Sequence, residues 1–387
     1  MVIVQITTDN REPFREYHKT APWFGTAPEA LFQGFAQIPD VKIHVIGCTQ
    51  RPMAGSPDKL ADNIWFHSLH VPKIGWLRTG YQGCVRAIRR RVSEIVPDIV
   101  HGQGTERECA LGAIFSGRPN VITIHGNMRL IARLNCAQPF TYQWLAARLE
   151  RLTVPRSDGV VCITHYTQNA VAGLARRTWV VPNAVDQSFF DVRPAPIETP
   201  VILCVGNIFH RKNQNFFVRA LDPLHRQLDF NVLFLGGYGE DDPYAAEFFR
   251  ELKSRPWCRY EGFADREKLK DYFRRATLLA LPSLEDNCPM VVLESMAAGV
   301  PVAAANVGGV PDLVDPGRTG LMFDPQDAAS TRNALEQLLR DAALRQRLAS
   351  AANAEARARF HPLAVASRHV EIYREILDGC PSRKEGE

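Results

Sequence analysis

Short apolar runs alternate with longer amphipathic stretches along the whole chain. In the first half the runs are VIVQI (2–6), VKIHVIG (41–47), PDIVHG (97–102), NVITIHG (120–126), GVVCIT (159–164) and TWVVPN (178–183). The second half repeats the scheme with VILCVG (201–206), NVLFLGG (231–237), TLLALPS (277–283), VPVAAAN (300–306) and GLMF (320–323). Most runs are apolar at successive positions, the pattern of strands covered on both faces, and the segments between them repeat at the three-and-four spacing of helices. The clearest helix is predicted from Leu77 to Val96. Leu77, Tyr81, Cys84, Val85, Ile88, Val92 and Ile95 share one face, and Arg78, Arg86, Arg89 and Arg90 share the other. Helical stretches over roughly 326–340, 342–358 and 361–377 close the chain.

Two strand–helix series, separated by the Pro-rich VRPAPIETP (192–200), predict an α/β protein of two doubly wound, Rossmann-like domains. A length of 387 residues fits two or three domains and leaves ample chain to bury a core without disulfides or a structural metal. The nine cysteines are scattered with no C-x-x-C pair, which points to thiols in a reducing compartment. The N-terminus lacks a signal-peptide pattern, and the longest uncharged apolar run, Met296–Ala305, is half the length a bilayer requires, so a cytoplasmic protein is expected. A net charge of +4 is too small to imply a nucleic-acid partner. Its distribution is uneven: residues 1–185 carry 21 basic against 13 acidic side chains, and the remainder 25 against 29. The two halves are expected to face different partners. The arginine face near Arg89 and Arg90 offers contact with an anionic membrane.

Ligands of open parallel sheets bind at the carboxyl ends of strands. Several chemistries are absent from the loops there. The chain has no G-x-G-x-x-G, no Gly-Lys dipeptide of a Walker A loop, no H-E-x-x-H and no G-x-S-x-G. A D-x-D metal clamp is also missing, so no metal is expected, and the H-x-x-H of His67 and His70 has no carboxylate beside it. The informative segment is PSLEDNCPMVVLESMAAGVPVAAANVGGVPDLV, 282–314. A strand ends at Pro282, a polar loop carries Glu285, Asp286 and Asn287, and Pro289 opens a helix that stops near Gly299. The free N–H groups of such a helix start form a site for phosphate. Glu294 lies five residues into this helix among apolar neighbours, where a carboxylate requires partners or water.

This segment resembles the signature of the GT-B glycosyltransferases of family 4: a Glu, seven residues, a second Glu, a small-residue helix and a Gly-x-Pro strand. Asp286 falls on the first Glu and Glu294 on the second. Further likenesses follow in order. TIHGN (123–127) is similar to the family's Thr-x-His-Gly loop, and VPNAVDQSFF (181–190) to its Pro-Asn-Gly-Val-Asp…Phe linker. VGNIFHRKNQ (205–214) is similar to its Gly-Arg-x-x-x-x-Lys loop, and RFHPLAVASRHVEIYREI to its final crossing helix. The chain departs from the pattern twice, with Asp286 one methylene shorter than Glu, and Asn207 where the family carries Arg.

The resemblance implies two facing Rossmann-like domains: 1–185 for the acceptor, 186–360 for a nucleotide-diphosphate sugar, and 361–387 as a helix and tail crossing back to the first. The activity implied is retaining transfer to an acceptor hydroxyl, saccharide or lipid-linked, in cell-surface polysaccharide or glycolipid synthesis at the inner face of the membrane. No cofactor is implied beyond the nucleotide sugar itself. Arg211, Lys212 and the helix start at Pro289, Met290 and Val291 would neutralise the diphosphate, with Gly206, Asn207 and Gly25 lining its approach. Asp286 and Asn287 would hold sugar hydroxyls, Glu294 the ribose, and His125 the donor sugar, while Asn183 reads as a linker turn residue. A non-hydrolysing nucleotide-sugar epimerase of the same architecture would share these features but isomerise the donor alone. A non-catalytic nucleotide-sugar-binding protein would transfer nothing.

Overall fold

The computed structural model describes residues 1–195 and 197–379, so the tail beyond 379 and one position of the Pro-rich break lie outside the described residues. The chain folds as two units, Met1–Ala184 with the chain from Pro362 onward, and Val185–His361. Strands of the first are β1 (Val2–Ile6), β2 (Lys42–Thr49), β3 (Lys59–Ala61), β4 (Ile64–His70), β5 (Ile99–Gln103), β6 (Asn120–Ile124), β7 (Val160–Cys162) and β8 (Thr178–Val180). They form one sheet in the order β3-β4-β2-β1-β5-β6-β7-β8, parallel except for β3 against β4. The second unit holds β9 (Val201–Val205), β10 (Asn231–Leu235), β11 (Cys258–Tyr260), β12 (Leu278–Leu281), β13 (Val302–Ala305) and β14 (Leu321–Phe323). Their order is β11-β10-β9-β12-β13-β14, all parallel.

Each sheet separates two apolar cores, which is why the strands read as continuous apolar runs rather than alternating ones. In the first unit Ile3, Val45, Ile99 and Val121 pack on one face with the helices Thr26–Phe35 and Pro362–Gly379. Val4, Ile46, Val100 and Ile122 pack on the other with the helix Gln82–Ile95. The last helix thus returns to the first unit, and Gly34 permits its close approach: a Cβ there would lie 2.0 Å from the carbonyl oxygen of Pro362.

The helix expected from Leu77 begins later. Residues Leu77–Thr79 form a short 3-10 turn, Gly80 and Tyr81 take left-handed φ angles of 59° and 63°, and the α-helix starts at Gln82. The carbonyl oxygen of Trp76 captures the N–H groups of Thr79 (3.0 Å) and Tyr81 (2.9 Å), closing the chain before the helix opens. Leu77 is therefore left exposed, while Tyr81, Cys84, Val85, Ile88 and Val92 are buried as the spacing requires. His67 lies on β4 and bonds His44 across to β2 at 2.9 Å. Among the described residues no group of His, Cys, Asp and Glu could hold a metal ion, and no helix is long and apolar enough to cross a membrane.

Candidate functional site

Strand order reverses at β9 in the second unit, with β10 on one side and β12 on the other. Such a reversal leaves a crevice between the loops that follow the two diverging strands. Those loops and the helix Met290–Ala297 that follows the second carry ten of the twelve predicted site residues. After β9, the N–H of Gly206 donates to the Leu235 carbonyl at 2.8 Å. Asn207 accepts at Oδ1 from the N–H of Gly237 (3.0 Å) and at its carbonyl from Gln214 Nε2 (3.0 Å). Its side chain thus staples the β9 loop to the β10 loop. One 3-10 turn, His210–Lys212, leads through left-handed Asn213 into the helix Gln214–His225.

The β12 loop lies against this turn. The N–H of Leu284 donates to the Arg211 carbonyl at 2.8 Å. Two ion pairs reinforce that tie: Arg211 Nη1 to Glu285 Oε2 at 2.7 Å, and Lys212 Nζ to Asp286 Oδ2 at 2.5 Å. Ser283 Oγ approaches the same Asp286 oxygen at 3.3 Å. Behind the loop the N–H of Gly309 donates to the Asp286 carbonyl at 2.9 Å. Gly308, at φ 54°, comes so close that a Cβ would sit 2.0 Å from that carbonyl oxygen. The two glycines of NVGGVPD therefore clamp the backbone that presents Asp286, a role the motif alone did not disclose.

Asn287, Met290 and Val291 are partly exposed, and Pro289 (φ −65°) caps the helix Met290–Ala297. The first N–H groups of this helix have no intrahelical acceptor. One turn further on, Glu294 is 6% exposed. Burial pushes its carboxyl up to about 7, Arg266 draws it down and Asp186 adds to the rise. Arg266 Nη1 itself pairs with Asp186 Oδ2 at 2.7 Å. Sequence reading missed this neighbouring pair, because Asp186, the Asp of the linker VPNAVDQSFF, lies 80 residues from Arg266, which belongs to no motif. A separate cavity of about 550 Å³ is lined by Leu284, Asn306, Val307 and Asp324 and takes in none of the predicted site residues.

The remaining two, Gly25 and His125, belong to the first unit, at the carboxyl edge of its sheet. Gly25 caps the helix Thr26–Phe35 with an ordinary φ of −61°. A Cβ there would make only a normal contact, 3.7 Å to Pro28, so the fold of the unit does not itself require glycine at this position. His125 follows β6, and its Nε2 lies 2.9 Å from Gln103 Oε1. Burial pulls its pKa down to about 4, offset in part by a side-chain hydrogen bond with Asn183. Asn183, 8% exposed, is thus a neighbour of His125 and more than the turn residue expected of it.

Two parallel-sheet α/β units, with the chain returning to the first, are the architecture of the GT-B glycosyltransferases. Residues 31–189 match the family model Glycosyltransferase Family 4, and residues 186–355 match Glycosyl transferases group 1. The chain belongs to the family 4-like GT-B glycosyltransferases. It is 26% identical over 349 residues to a 2-deoxystreptamine glucosyltransferase of Streptomyces kanamyceticus, covering 82% of this chain and 86% of that one. To a glycogen synthase of Mycobacterium tuberculosis it is 31% identical over 206 residues, 52% of this chain and 49% of that one. The match thus spans about half the length of that relative. Among solved structures, sucrose-phosphate synthase from Thermosynechococcus elongatus superposes with a TM-score of 0.75 at 19% identity, over 98% of this chain and all of the other. Anabaena HepE in complex with UDP-glucose superposes with a TM-score of 0.68 at 17% identity, over 97% of this chain and all of the other.

Proposed function

We propose that the chain moves a glycosyl group from a nucleotide-diphosphate sugar to an acceptor hydroxyl with retention of configuration, using neither metal nor cofactor. The observation that carries this reading is the pairing of Arg211 and Lys212 with Glu285 and Asp286 over the second unit's switch point. The helix Met290–Ala297 opens from the same loop. The diphosphate leaves readily once its charge is neutralised, so the chief task is electrostatic. Lys212, Arg211 and the N–H groups of Met290 and Val291 supply that neutralisation. The acidic partners hold both cations in place before the diphosphate arrives. Asp286 and Asn287 take sugar hydroxyls, and Glu294 takes the ribose hydroxyls.

The Asp286 carboxylate is engaged by Lys212 and Ser283, and the proposed step uses no protein nucleophile. The acceptor oxygen bonds to the anomeric carbon as the bond from that carbon to the phosphate oxygen breaks, and the acceptor's proton passes to the departing phosphate. The unit Val185–His361 holds the donor and the first unit the acceptor, a saccharide or lipid-linked sugar of cell-surface polysaccharide or glycolipid synthesis. The solved neighbour that contains UDP-glucose supports UDP-glucose as the first donor to try. Arg86, Arg89 and Arg90 are exposed on their helix, with Ile74 and Leu77 exposed just before it. That combination suits contact with an anionic membrane at roughly 1 kcal/mol per basic residue. The test is UDP-glucose turnover with an acceptor panel, with product configuration read by NMR. Isomerised donor would identify an epimerase. Binding without turnover on any acceptor would identify a carrier of the nucleotide sugar.

A further inference from the structure

Three strand ends of the second unit enclose the cavity of about 550 Å³. Leu284 follows β12, Asn306 and Val307 follow β13, and Asp324 and Gln326 follow β14, with Ser330 added from the helix Ala328–Arg340. The cavity therefore opens at the carboxyl edge of a parallel sheet, where such sheets take ligands, but to one side of the reversal at β9. Its size falls within the range of small-molecule sites, roughly 300–1,000 Å³.

Hydrogen bonds of the backbone fix the walls. The N–H of Asn306 donates to the Phe323 carbonyl at 2.9 Å and joins the ends of β13 and β14. The N–H of Asp324 donates to Ser330 Oγ at 3.0 Å, and that of Gln326 to Asp324 Oδ1 at 2.8 Å. Asn213 Nδ2 donates to the Pro325 carbonyl at 2.9 Å. With the backbone so secured, the side chains have capacity left over. Asn306 and Gln326 are exposed, and neither side chain is bonded to another described residue. Asp324 keeps Oδ2, and Ser330, so far an acceptor, keeps its proton.

The lining selects the chemistry of the ligand. No lysine, arginine or histidine belongs to it, so a phosphate or carboxylate meets no counter-charge there. Asp324 is its one carboxylate, and one carboxylate alone does not make a cation site. Two amides, a hydroxyl and a carboxylate oxygen serve hydroxyl groups as both donors and acceptors. Leu284, Val307 and Met322 give an aliphatic wall for the C–H face of a ring. A ligand with many hydroxyls, no charge and apolar ring faces is a saccharide.

We propose that this cavity is a second, non-catalytic site for a neutral oligosaccharide. Arg211, Lys212, Asp286 and Glu294 do not line it, so it is separate from the proposed donor site. The proposed transfer gives it a use, since an acceptor or product retained on the unit has a raised local concentration. Only that use rests on the transfer reading.

The test is a saturation-transfer NMR titration of the full chain with maltotriose, cellotriose and chitotriose, each with and without excess UDP. At least one probe should bind with a Kd of about 1 mM, undiminished by UDP. Asn306→Trp places a large ring at an exposed position in the cavity wall and should abolish this binding. Gln326→Ala should weaken it about three- to tenfold, the loss of one neutral hydrogen bond. Lys212→Met should leave it unchanged. Unaltered melting temperatures would show that the variants are folded, and two exposed positions give two independent readings. No probe bound at about 10 mM, binding displaced by UDP, or binding unchanged in Asn306→Trp overturns the proposal. A bound trisaccharide with no turnover of UDP-glucose on any acceptor refutes the transfer reading instead and leaves this site standing.

Discussion

Glu294→Gln changes one atom and tests the proposed nucleotide site twice. In the free protein the carboxyl is 6% exposed and its pKa is pushed up to about 7 from 4.5 by burial. A raised pKa means that the native state binds the proton more tightly than the unfolded chain. The stability this contributes is present in full below about pH 4.5 and is lost as pH rises through about 7. The rise from 4.5 to about 7 corresponds to about 3 kcal/mol. Glu294→Gln, which never ionises, should therefore match the parent near pH 4 and exceed it by up to about 3 kcal/mol at pH 8. Urea unfolding at the two pH values measures this.

Binding should move the other way. In the proposed site ribose hydroxyls would donate to the ionised carboxylate and so expel the proton. A free-state pKa near 7 makes nucleoside affinity about tenfold weaker at pH 6 than at pH 8. Uridine is the probe, with guanosine in parallel, because a nucleoside has no phosphate of its own to titrate. Calorimetry at pH 7 in two buffers of different ionisation enthalpy should reveal proton release. At pH 8 Glu294→Gln should lose about 1.5–3 kcal/mol of nucleoside affinity, the range for a hydrogen bond to a charged group, and its pH dependence should vanish. A parent whose nucleoside affinity is flat from pH 6 to 8, or a variant that binds as the parent does, refutes the placement of the ribose at Glu294.

Lys212→Met should lower UDP-glucose turnover by about 2–4 kcal/mol of transition-state stabilisation while leaving uridine affinity unchanged; a rate within about twofold of the parent would make Lys212 a plain partner of Asp286. Glu285→Ala releases Arg211 from its 2.7 Å pair and should shift UDP affinity but not uridine affinity, as a titration of each ligand would show. Gly34→Ala should cost about 1–3 kcal/mol by forcing the last helix off its seat, read as a lower melting temperature, whereas Gly25→Ala should leave stability alone. Turnover should survive a chelator, and a loss restored by added metal would point to carboxylate ligands not yet recognised.

Fold class, the two strand–helix series and the position of the polar loop between β12 and its helix were legible in the sequence because each depends on local information. A parallel strand buried on both faces has to be apolar at every position, as at 201–205 and 302–305. A helix that starts at a strand's carboxyl end declares itself through Pro289 and the small residues that follow. The eight-residue offset between Asp286 and Glu294 was legible for the same reason. The tertiary structure alone decided the partners. Arg211 and Lys212 are 74 residues from Glu285 and Asp286, and only the β9–β12 neighbourhood brings the pairs together. The glycine clamp of Gly308 and Gly309 on Asp286, the Arg266–Asp186 pair beside Glu294 and the reach of Tyr373 to Gln5 across 368 residues are of the same kind. Local pattern records which face of an element is covered. Side-chain hydrogen bonds, and the pKa of a buried carboxyl, depend on which distant element does the covering.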